Sequence, residues 1–217
     1  MTLQEAMKAR HMVRKYTDKA IPADIAAKLN ERVKQNNEQY GLSIKLMIND
    51  GSAVPGVIKL ILAKGVNNFF IMAGPRGADE RLGYCGADLM LYAQTLGLNT
   101  WWVGGTYNRK GAAEKSEGAI PVGVIAVGYG QTQGVPHKTK TADAVSSYEG
   151  DVPEWFRNGV TAALLAPTAL AKQSFFIKGS DNKAELTCDN GIFTDVDKGL
   201  VKYHFELGAG KENFEWA

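Results

Sequence analysis

The sequence predicts an α+β fold in which a mixed, mainly antiparallel sheet is flanked by helices. Apolar residues recur at helical spacing, most clearly at Leu82, Cys85, Leu89, Ala93 and Leu96. Short apolar runs bounded by turn residues, such as 68–73, predict buried strands. Several strands are joined by short turns, so the βαβ rhythm of a parallel sheet is weak.

The first half of the chain has clear helix boundaries. Thr2-Leu-Gln-Glu5 is a capping box, which predicts a helix reaching toward Tyr16. Pro22 stands in the first turn of a second helix that ends near Gly41. Residues 57–64 fit a short helix or a strand equally well. The remaining predicted elements are strands over 42–48, 68–73, 100–103 and 121–127, and a long helix over 82–96.

The second half begins with a long connection. Residues 128–152 are polar and rich in turn residues. The elements predicted after it are a helix capped by Asp151-Val-Pro-Glu154 and stopping near Pro167, a strand pair at 175–178 and 184–188, and a last helix capped by Thr194-Asp-Val-Asp197 and ending near Gly208.

The composition is that of a globular protein with a small-molecule partner. The 217 residues are 45% hydrophobic and 22% charged, which suits one domain or two small ones sharing a core. Lys and Arg number 25 against 23 for Asp and Glu, and this balance gives no sign of a nucleic-acid-binding surface. We therefore expect a small-molecule ligand with a local anionic group.

Neither a membrane nor a metal is expected as a partner. The longest apolar run falls well short of the ~20 residues that span a bilayer. The two cysteines form no CxxC motif, and the three histidines lack metal-ligand spacing. One disulfide is possible but nothing demands it, so we expect a reducing, cytoplasmic location.

An internal echo links two of the predicted helices. Leu89 to Asn99 (LMLYAQTLGLN) and Leu200 to Gly210 (LVKYHFELGAG) share Leu, Tyr, Leu and Gly at the same spacing. The echo is either chance, because helices often end in Leu-Gly, or the trace of a degenerate duplication.

Two basic pairs are candidates for binding an anion. Arg10 and Arg14 are one turn apart on the predicted first helix, where like charges repel unless an anion lies between them. Lys138 and Lys140 are two residues apart, so they point the same way in an extended segment. The pairs either converge on one phosphate or form two solvated basic surfaces.

Other motifs are compatible with a flat ligand. Gly104 and Gly105 follow Trp101-Trp102-Val103, and paired glycines let backbone N–H groups approach a ring, although the tryptophans also fit a core. The loop at 166–173 carries small residues with Thr168 and Gln173. Because the usual catalytic constellations are missing, we expect no catalytic side chain and a cofactor that carries the chemistry.

Taken in order, these motifs resemble the FMN-dependent nitroreductase superfamily, most closely its branch from archaea and anaerobic bacteria. Residues 10–16 (RHMVRKY) are similar to the family's opening pattern R-x-S-x-R/K-x-F/Y, and 83–108 to its long helix and GLxTxWVGGT signature. Residues 138–140 (KTK) are similar to K-x-R, and 166–176 to A-P-S-x-x-N-x-Q-P-W/F.

The resemblance implies FMN as the cofactor. It implies that basic residues hold the phosphate and ribityl chain, that Gly104 and Gly105 bring N–H groups toward flavin N5, and that Thr168 and Gln173 contact the ring edge. The implied cofactor-binding residues are Arg10, His11, Met12, Arg14, Gly104, Gly105, Lys138, Lys140, Pro167, Thr168, Ala169 and Gln173. Met12, Ala87 and Ala171 stand where the family has Ser, an acidic residue and Asn.

The order of the motifs implies a chain built of two degenerate halves. In the family, the A-P-S motif comes early and packs on the flavin of the partner subunit, whereas here it follows Lys140. Residues 1–150 would supply the phosphate motifs, and residues 151–217 would stand in for the partner. We expect a monomer acting as a pseudo-dimer, or a homodimer.

The implied activity is an FMN-dependent oxidoreductase. NAD(P)H would donate a hydride, and a nitroaromatic, a quinone or a similar planar small-molecule acceptor would receive it in a ping-pong cycle. One alternative is a non-catalytic flavin-binding protein for storage or sensing. Another is an interaction protein that keeps only the fold.

Overall fold

Two four-stranded sheets and two long central helices organise the chain. The computed structural model describes the backbone of residues 1–61 and 63–217, and the side chains of residues 1–58 and 63–217. Its helices are α1 (Leu3–Ala9), α2 (Ala23–Tyr40), α3 (Gly56–Ile61), α4 (Asp79–Thr95), α5 (Arg109–Lys115), α6 (Glu154–Ala163) and α7 (Thr194–Ala209). Its strands are β1 (Lys45–Met47), β2 (Phe69–Gly74), β3 (Asn99–Val103), β4 (Ile120–Gly128), β5 (Ser146–Glu149), β6 (Phe175–Ser180), β7 (Lys183–Cys188) and β8 (Glu215–Trp216).

The sheets confirm the predicted α+β class. The first has the order β1-β2-β4-β3 and is antiparallel throughout. The second has the order β5-β6-β7-β8, with β6–β7 antiparallel and the other two pairs parallel. Strand β5 follows the first sheet in the chain but pairs with β6, so the connection after β4 joins the two sheets.

Strand β2 explains why residues 68–73 are uniformly apolar. Successive side chains of a strand point to opposite faces. Phe70 and Met72 enter the large core shared with α4 and α7, while Phe69 and Ile71 enter a second core behind the sheet. The strand is therefore buried on both faces and carries no polar alternation.

The two central helices approach each other backbone to backbone. A Cβ atom at Gly83 in α4 would overlap the carbonyl of Val196, and one at Gly199 in α7 would overlap the carbonyl of Glu80. Glycine is therefore required at both crossing points. The segments of the internal echo lie largely on these two helices, so the repeated pattern falls on elements that pack together.

The first helix is shorter than predicted. The capping box is present, but α1 ends at Ala9, and Arg10 caps it with an extended backbone. Beyond it, Met12 pairs with Thr100 and Lys15 with Lys64. The prediction of a helix to Tyr16 is wrong because residues 10–16 find backbone partners in other parts of the fold. Arg10 and Arg14 are therefore not one helical turn apart.

Other local predictions are corrected as well. Residues left open between helix and strand are helical over Gly56–Ile61, and residue 62 lies outside the described residues. The connection over 128–152 contains β5, which was not predicted. Neither of the two caps predicted in the second half of the chain forms, because Pro153 and Phe193 occupy the N-cap positions of α6 and α7 without side-chain capping bonds.

Neither cysteine forms a disulfide, since Cys85 and Cys188 are both free thiols. Among the described residues, no helix combines the length and the apolar character needed to cross a membrane.

Candidate functional site

Arg10 is a buried cation without an acidic partner. The residue is 5% exposed, because the chain turns inward where α1 ends. No carboxylate among the described residues pairs with its guanidinium, and its Nε atom has no hydrogen-bond partner. Burial lowers the pKa of Arg10 to about 10, so the side chain stays charged at neutral pH.

The other basic residues of the predicted site lie at the surface. Arg14 is exposed, and its guanidinium stacks 5.4 Å from the ring centre of Trp101. Lys138 and Lys140 are also exposed, and the Lys140 Nζ donates to the carbonyl of Gln173 at 2.9 Å. None of the three forms an ion pair with a carboxylate in the described part of the chain.

The segment that carries the lysines packs on the segment that carries the arginines. A Cβ atom at Gly134 would lie 2.7 Å from the carbonyl oxygen of Met12 and 2.9 Å from the Cβ of His11. Burial, with Arg10 and His137 nearby, lowers the pKa of His11. The structure therefore brings His11, Met12 and the start of the lysine segment into contact.

His204 adds a second orphaned polar atom to this region. It is 1% exposed on α7, and its Nδ1 lies 2.8 Å from the carbonyl oxygen of Leu200. A carbonyl can only accept, so Nδ1 donates and Nε2 is a bare acceptor without a partner. Burial lowers the pKa of His204 to about 3, with Arg10 and His137 acting in the same direction, so this imidazole is neutral.

Gln173 joins the lysine segment to the loop at 167–173. Its amide is buried, its Oε1 accepts from the Lys140 backbone N–H at 2.7 Å, and its Nε2 donates to the Leu164 carbonyl at 2.8 Å. Its own N–H donates to the Thr168 Oγ1 at 3.1 Å. Thr168 and Gln173, both predicted to face a ligand ring, thus use their side chains to hold the loop.

The first turn of α7 joins this loop to the glycine pair. The Ala169 N–H donates to both carboxylate oxygens of Asp197, at 2.9 and 3.1 Å. One turn earlier, the Phe193 ring lies against Gly104, 2.7 Å from the position of an added Cβ. Burial outweighs the Ala169 hydrogen bonds and raises the pKa of Asp197 to about 6.

Most of the predicted residues therefore form one continuous band. Met12 pairs with Thr100 at the start of β3, and Gly104 follows four residues later, about 13 Å away at strand spacing. A basic end around Arg10 and a glycine end at Gly104 are thus held apart by β3. No Cβ contact would arise at Gly105, which faces open space.

Three predicted positions stand apart from these contacts. Pro167 is half-buried, and its hydrocarbon side chain has no polar atom that could form a hydrogen bond. Ala171 is exposed, whereas Ala87 is buried within α4.

Sequence reasoning missed several residues that build the band. Asp197 was interpreted as part of a helix cap, and Phe193 carried no signal. His137 and His204 carried no motif, although His204 lies within the internal echo. One signal was available in the sequence of α7. The polar residues Asp197 and His204 interrupt a helix face that is otherwise apolar.

A separate cleft of about 460 Å³ lies between α2, α4 and α7. Arg32, Asp88, Tyr84, Tyr203 and Glu206 are among its lining residues, and it contains none of the predicted site residues. Two of its carboxylates are partnered within or beside the cleft: Asp88 binds Arg32, Asn36 and Tyr203, and Glu206 binds Tyr84, Lys211 and Trp216. This cleft is a polar junction between helices.

The fold and the band define an α+β protein in which a buried arginine, Arg10, has no carboxylate partner among the described residues. A family model described as "Putative TM nitroreductase" matches residues 2–209, and the chain belongs to that family. No curated protein matches the sequence.

Solved structures show the same fold at low sequence identity. A "putative nitroreductase" from Thermotoga maritima is 18% identical with a TM-score of 0.72, covering 98% of this chain and 85% of its own. A "putative nitroreductase" from Exiguobacterium sibiricum, solved in complex with FMN, is 16% identical with a TM-score of 0.50, covering 66% of this chain and 95% of its own. A nitroreductase family protein from Streptococcus pneumoniae is 11% identical with a TM-score of 0.53, covering 66% and 98%.

Proposed function

We propose that the protein is an FMN-dependent oxidoreductase that uses NAD(P)H to reduce nitroaromatics, quinones or similar planar acceptors. The observation that carries the proposal is Arg10, a buried cation with an orphaned Nε and no acidic partner among the described residues. An unpaired buried charge is costly, and an anionic ligand removes that cost. Membership of a nitroreductase family and the FMN of the Exiguobacterium relative support a flavin phosphate as that anion.

The residues of the band fit FMN along its length. Arg10, Arg14, Lys138 and Lys140 would hold the phosphate, since guanidinium and ammonium donors suit its oxygens. None of the four pairs with a carboxylate in the described part of the chain, so they are available to a ligand. His11 and Met12 would line the same end. Gly104 and Gly105 would present backbone N–H groups to the ring.

The loop of Pro167, Thr168 and Ala169 would close the ring end. Asp197 and Gln173 hold this loop by backbone and side-chain hydrogen bonds, so its shape is fixed before a ligand arrives. Bound FMN would supply the hydride-transfer chemistry. Overall, NAD(P)H would lose a hydride, and a quinone would gain that hydride and one solvent proton to become the hydroquinone.

We also propose that one chain builds the whole site. Residues 1–150 contribute the basic and glycine segments, and residues 151–217 contribute the loop at 167–173 and the start of α7. A monomer obtained by dilution, verified by light scattering, should therefore retain FMN. Loss of FMN in step with dissociation of a dimer would contradict this.

The cofactor site is tested by titrating FMN into Arg10→Met. Losing one charge-assisted hydrogen-bonding group should weaken binding about ten- to a hundredfold. Thermal stability of the FMN-free variant should not fall, because an unpaired buried charge is removed. Arg109→Met is the matched control, since Arg109 is an exposed arginine that stacks on Tyr107 and makes none of the contacts that build the band. Equal FMN affinity in both variants would refute the site.

Turnover separates the enzyme from a non-catalytic flavin protein. Under anaerobic conditions, consumption of NADH or NADPH beyond one equivalent per bound FMN should require a quinone such as menadione or a nitrofuran. A protein that binds FMN tightly and shows no such consumption would instead be a storage or sensing protein.

A further inference from the structure

Leu170 and Ile192 are apolar side chains that lie almost entirely in solvent: they are 87% and 92% exposed. These are the most exposed large hydrophobic residues in the described part of the chain. Single exposed leucines are ordinary on protein surfaces. These two residues, however, are each next in sequence to a residue that makes a contact at the glycine end of the band.

Both residues adjoin contacts that build this end. Leu170 follows Ala169, whose N–H is held by Asp197. Ile192 precedes Phe193, whose ring lies against Gly104. The Asp197 N–H donates to the Phe193 carbonyl at 2.8 Å within the first turn of α7, so the two attachment points are one helical turn apart.

The exposure of Leu170 is imposed by a strained and clamped loop. Leu170, Ala171 and Gln173 have φ angles of 54°, 53° and 49°, in the left-handed region that non-glycine residues avoid. The Gln173 side chain and the Thr168 hydroxyl fix this conformation. The loop thus keeps an unfavourable backbone while holding an apolar side chain in water, and strain of this kind concentrates at functional sites.

We propose that Leu170 and Ile192 determine acceptor specificity by forming an apolar rim at the glycine end of the site. The proposal rests on the proposed function. The acceptor class it selects is a planar ring carrying an apolar substituent, because the substituent would cover the rim while the ring enters the site. Compact acceptors without such a substituent would not reach the rim.

Two quinones that differ only in a tail test the rim: a dimethoxy-methyl-benzoquinone and its decyl derivative. The rim variant is Leu170→Asn with Ile192→Thr, since Asn tolerates the left-handed backbone and Thr keeps β-branching. Ile120→Thr is the control, because Ile120 is 45% exposed at the start of β4 and adjoins none of the band contacts. The readouts are kcat/KM with NAD(P)H, and calorimetric quinone binding to the oxidised protein without any donor.

The rim variant should lose about tenfold in kcat/KM and in affinity for the decyl quinone. It should keep its values for the short quinone and its FMN content, and the control should match the parent protein throughout. Equal effects on both quinones, or no effect on either, would overturn the rim.

The proposed function fails in a distinguishable way. A parent protein that takes up no FMN overturns both proposals. A parent protein that binds FMN yet neither binds nor reduces either quinone overturns the rim and leaves the cofactor site standing.

Discussion

Gln173 and Lys140 are joined by hydrogen bonds in both directions. The Gln173 Oε1 accepts from the Lys140 N–H at 2.7 Å, and the Lys140 Nζ donates to the Gln173 carbonyl at 2.9 Å. The pair connects segments from opposite sides of the proposed division at residue 150. It thereby couples the basic end of the band to the loop at 167–173.

Replacing Gln173 by Leu should destabilise the protein. The change preserves approximate size but removes the acceptor of the Lys140 N–H and one partner of the Leu164 carbonyl, which also lies 3.0 Å from His137 Nε2. Each lost hydrogen bond costs about 0.5–1.5 kcal/mol. Urea denaturation measures the free energy of unfolding. Gln131→Leu is the control, because exposed Gln131 makes one side-chain bond, to the Tyr16 carbonyl. A loss of stability no larger than in this control would show that the hydrogen bonds of the Gln173 side chain are dispensable.

The elements that the sequence predicted well are those with strong local patterns. Helix α4 and strand β2 follow from apolar periodicity and flanking turn residues. Strand β5 lacked such a signal, since its four residues gain their partner β6 from more than twenty residues further along the chain. For residues 10–16 a helix was predicted that does not form, because backbone pairing with Thr100 and Lys64 overrides their helical pattern.

The candidate site was predictable as residue types but not as contacts. Motif order indicated which residues belong together, whereas the clamp at Gln173 and the carboxylate at Asp197 depend on tertiary packing. Arg10 shows the limit most clearly: its charge is evident in the sequence, but its burial arises from the turn at the end of α1.

Removing Asp88 should cost about 3 kcal/mol of stability, near the lower end for a broken buried pair because Arg32 is partly exposed. Asp88 is buried, and its carboxylate accepts hydrogen bonds from Arg32 Nε at 2.8 Å and from Arg32 Nη2 at 2.5 Å. Asp88→Leu leaves the Arg32 guanidinium without its carboxylate partner. Asp88→Leu combined with Arg32→Met removes both charges and should recover part of the loss. Denaturation midpoints of the two variants check this, and an equal loss in both would mean that the charge pairing is not the cause.

Ionisation of Asp197 should make stability fall with rising pH. Its pKa is raised from 3.8 to about 6 on folding, so the folded state favours the protonated carboxyl. That contribution is full below pH 3.8 and is lost as the pH rises through about 6. Asp197→Asn should therefore become more stable relative to the parent as the pH rises from 3.8 to about 6, and it should keep that advantage at higher pH.

The comparison is made by measuring thermal unfolding of both proteins across that pH range. Asp195→Asn serves as the control, since Asp195 is an exposed carboxylate in the same first turn of α7. A parent and Asp197→Asn that keep a constant stability difference at every pH would contradict the assignment.

Ala171→Asn should improve both the fold and FMN binding. Ala171 has φ of 53°, a conformation that Asn adopts more readily than Ala, so the melting temperature should rise even without FMN. Its side chain is exposed, so the larger amide meets no packed neighbour. If the loop faces the cofactor, the restored amide should also tighten FMN by about 0.5–1.5 kcal/mol, the net contribution of one hydrogen bond.

Ala171→Gln separates the two effects, because it adds an amide without the left-handed preference. FMN titration and thermal melts of both variants measure them, and an FMN affinity unchanged in Ala171→Asn would remove the loop from Thr168 to Gln173 from the cofactor site.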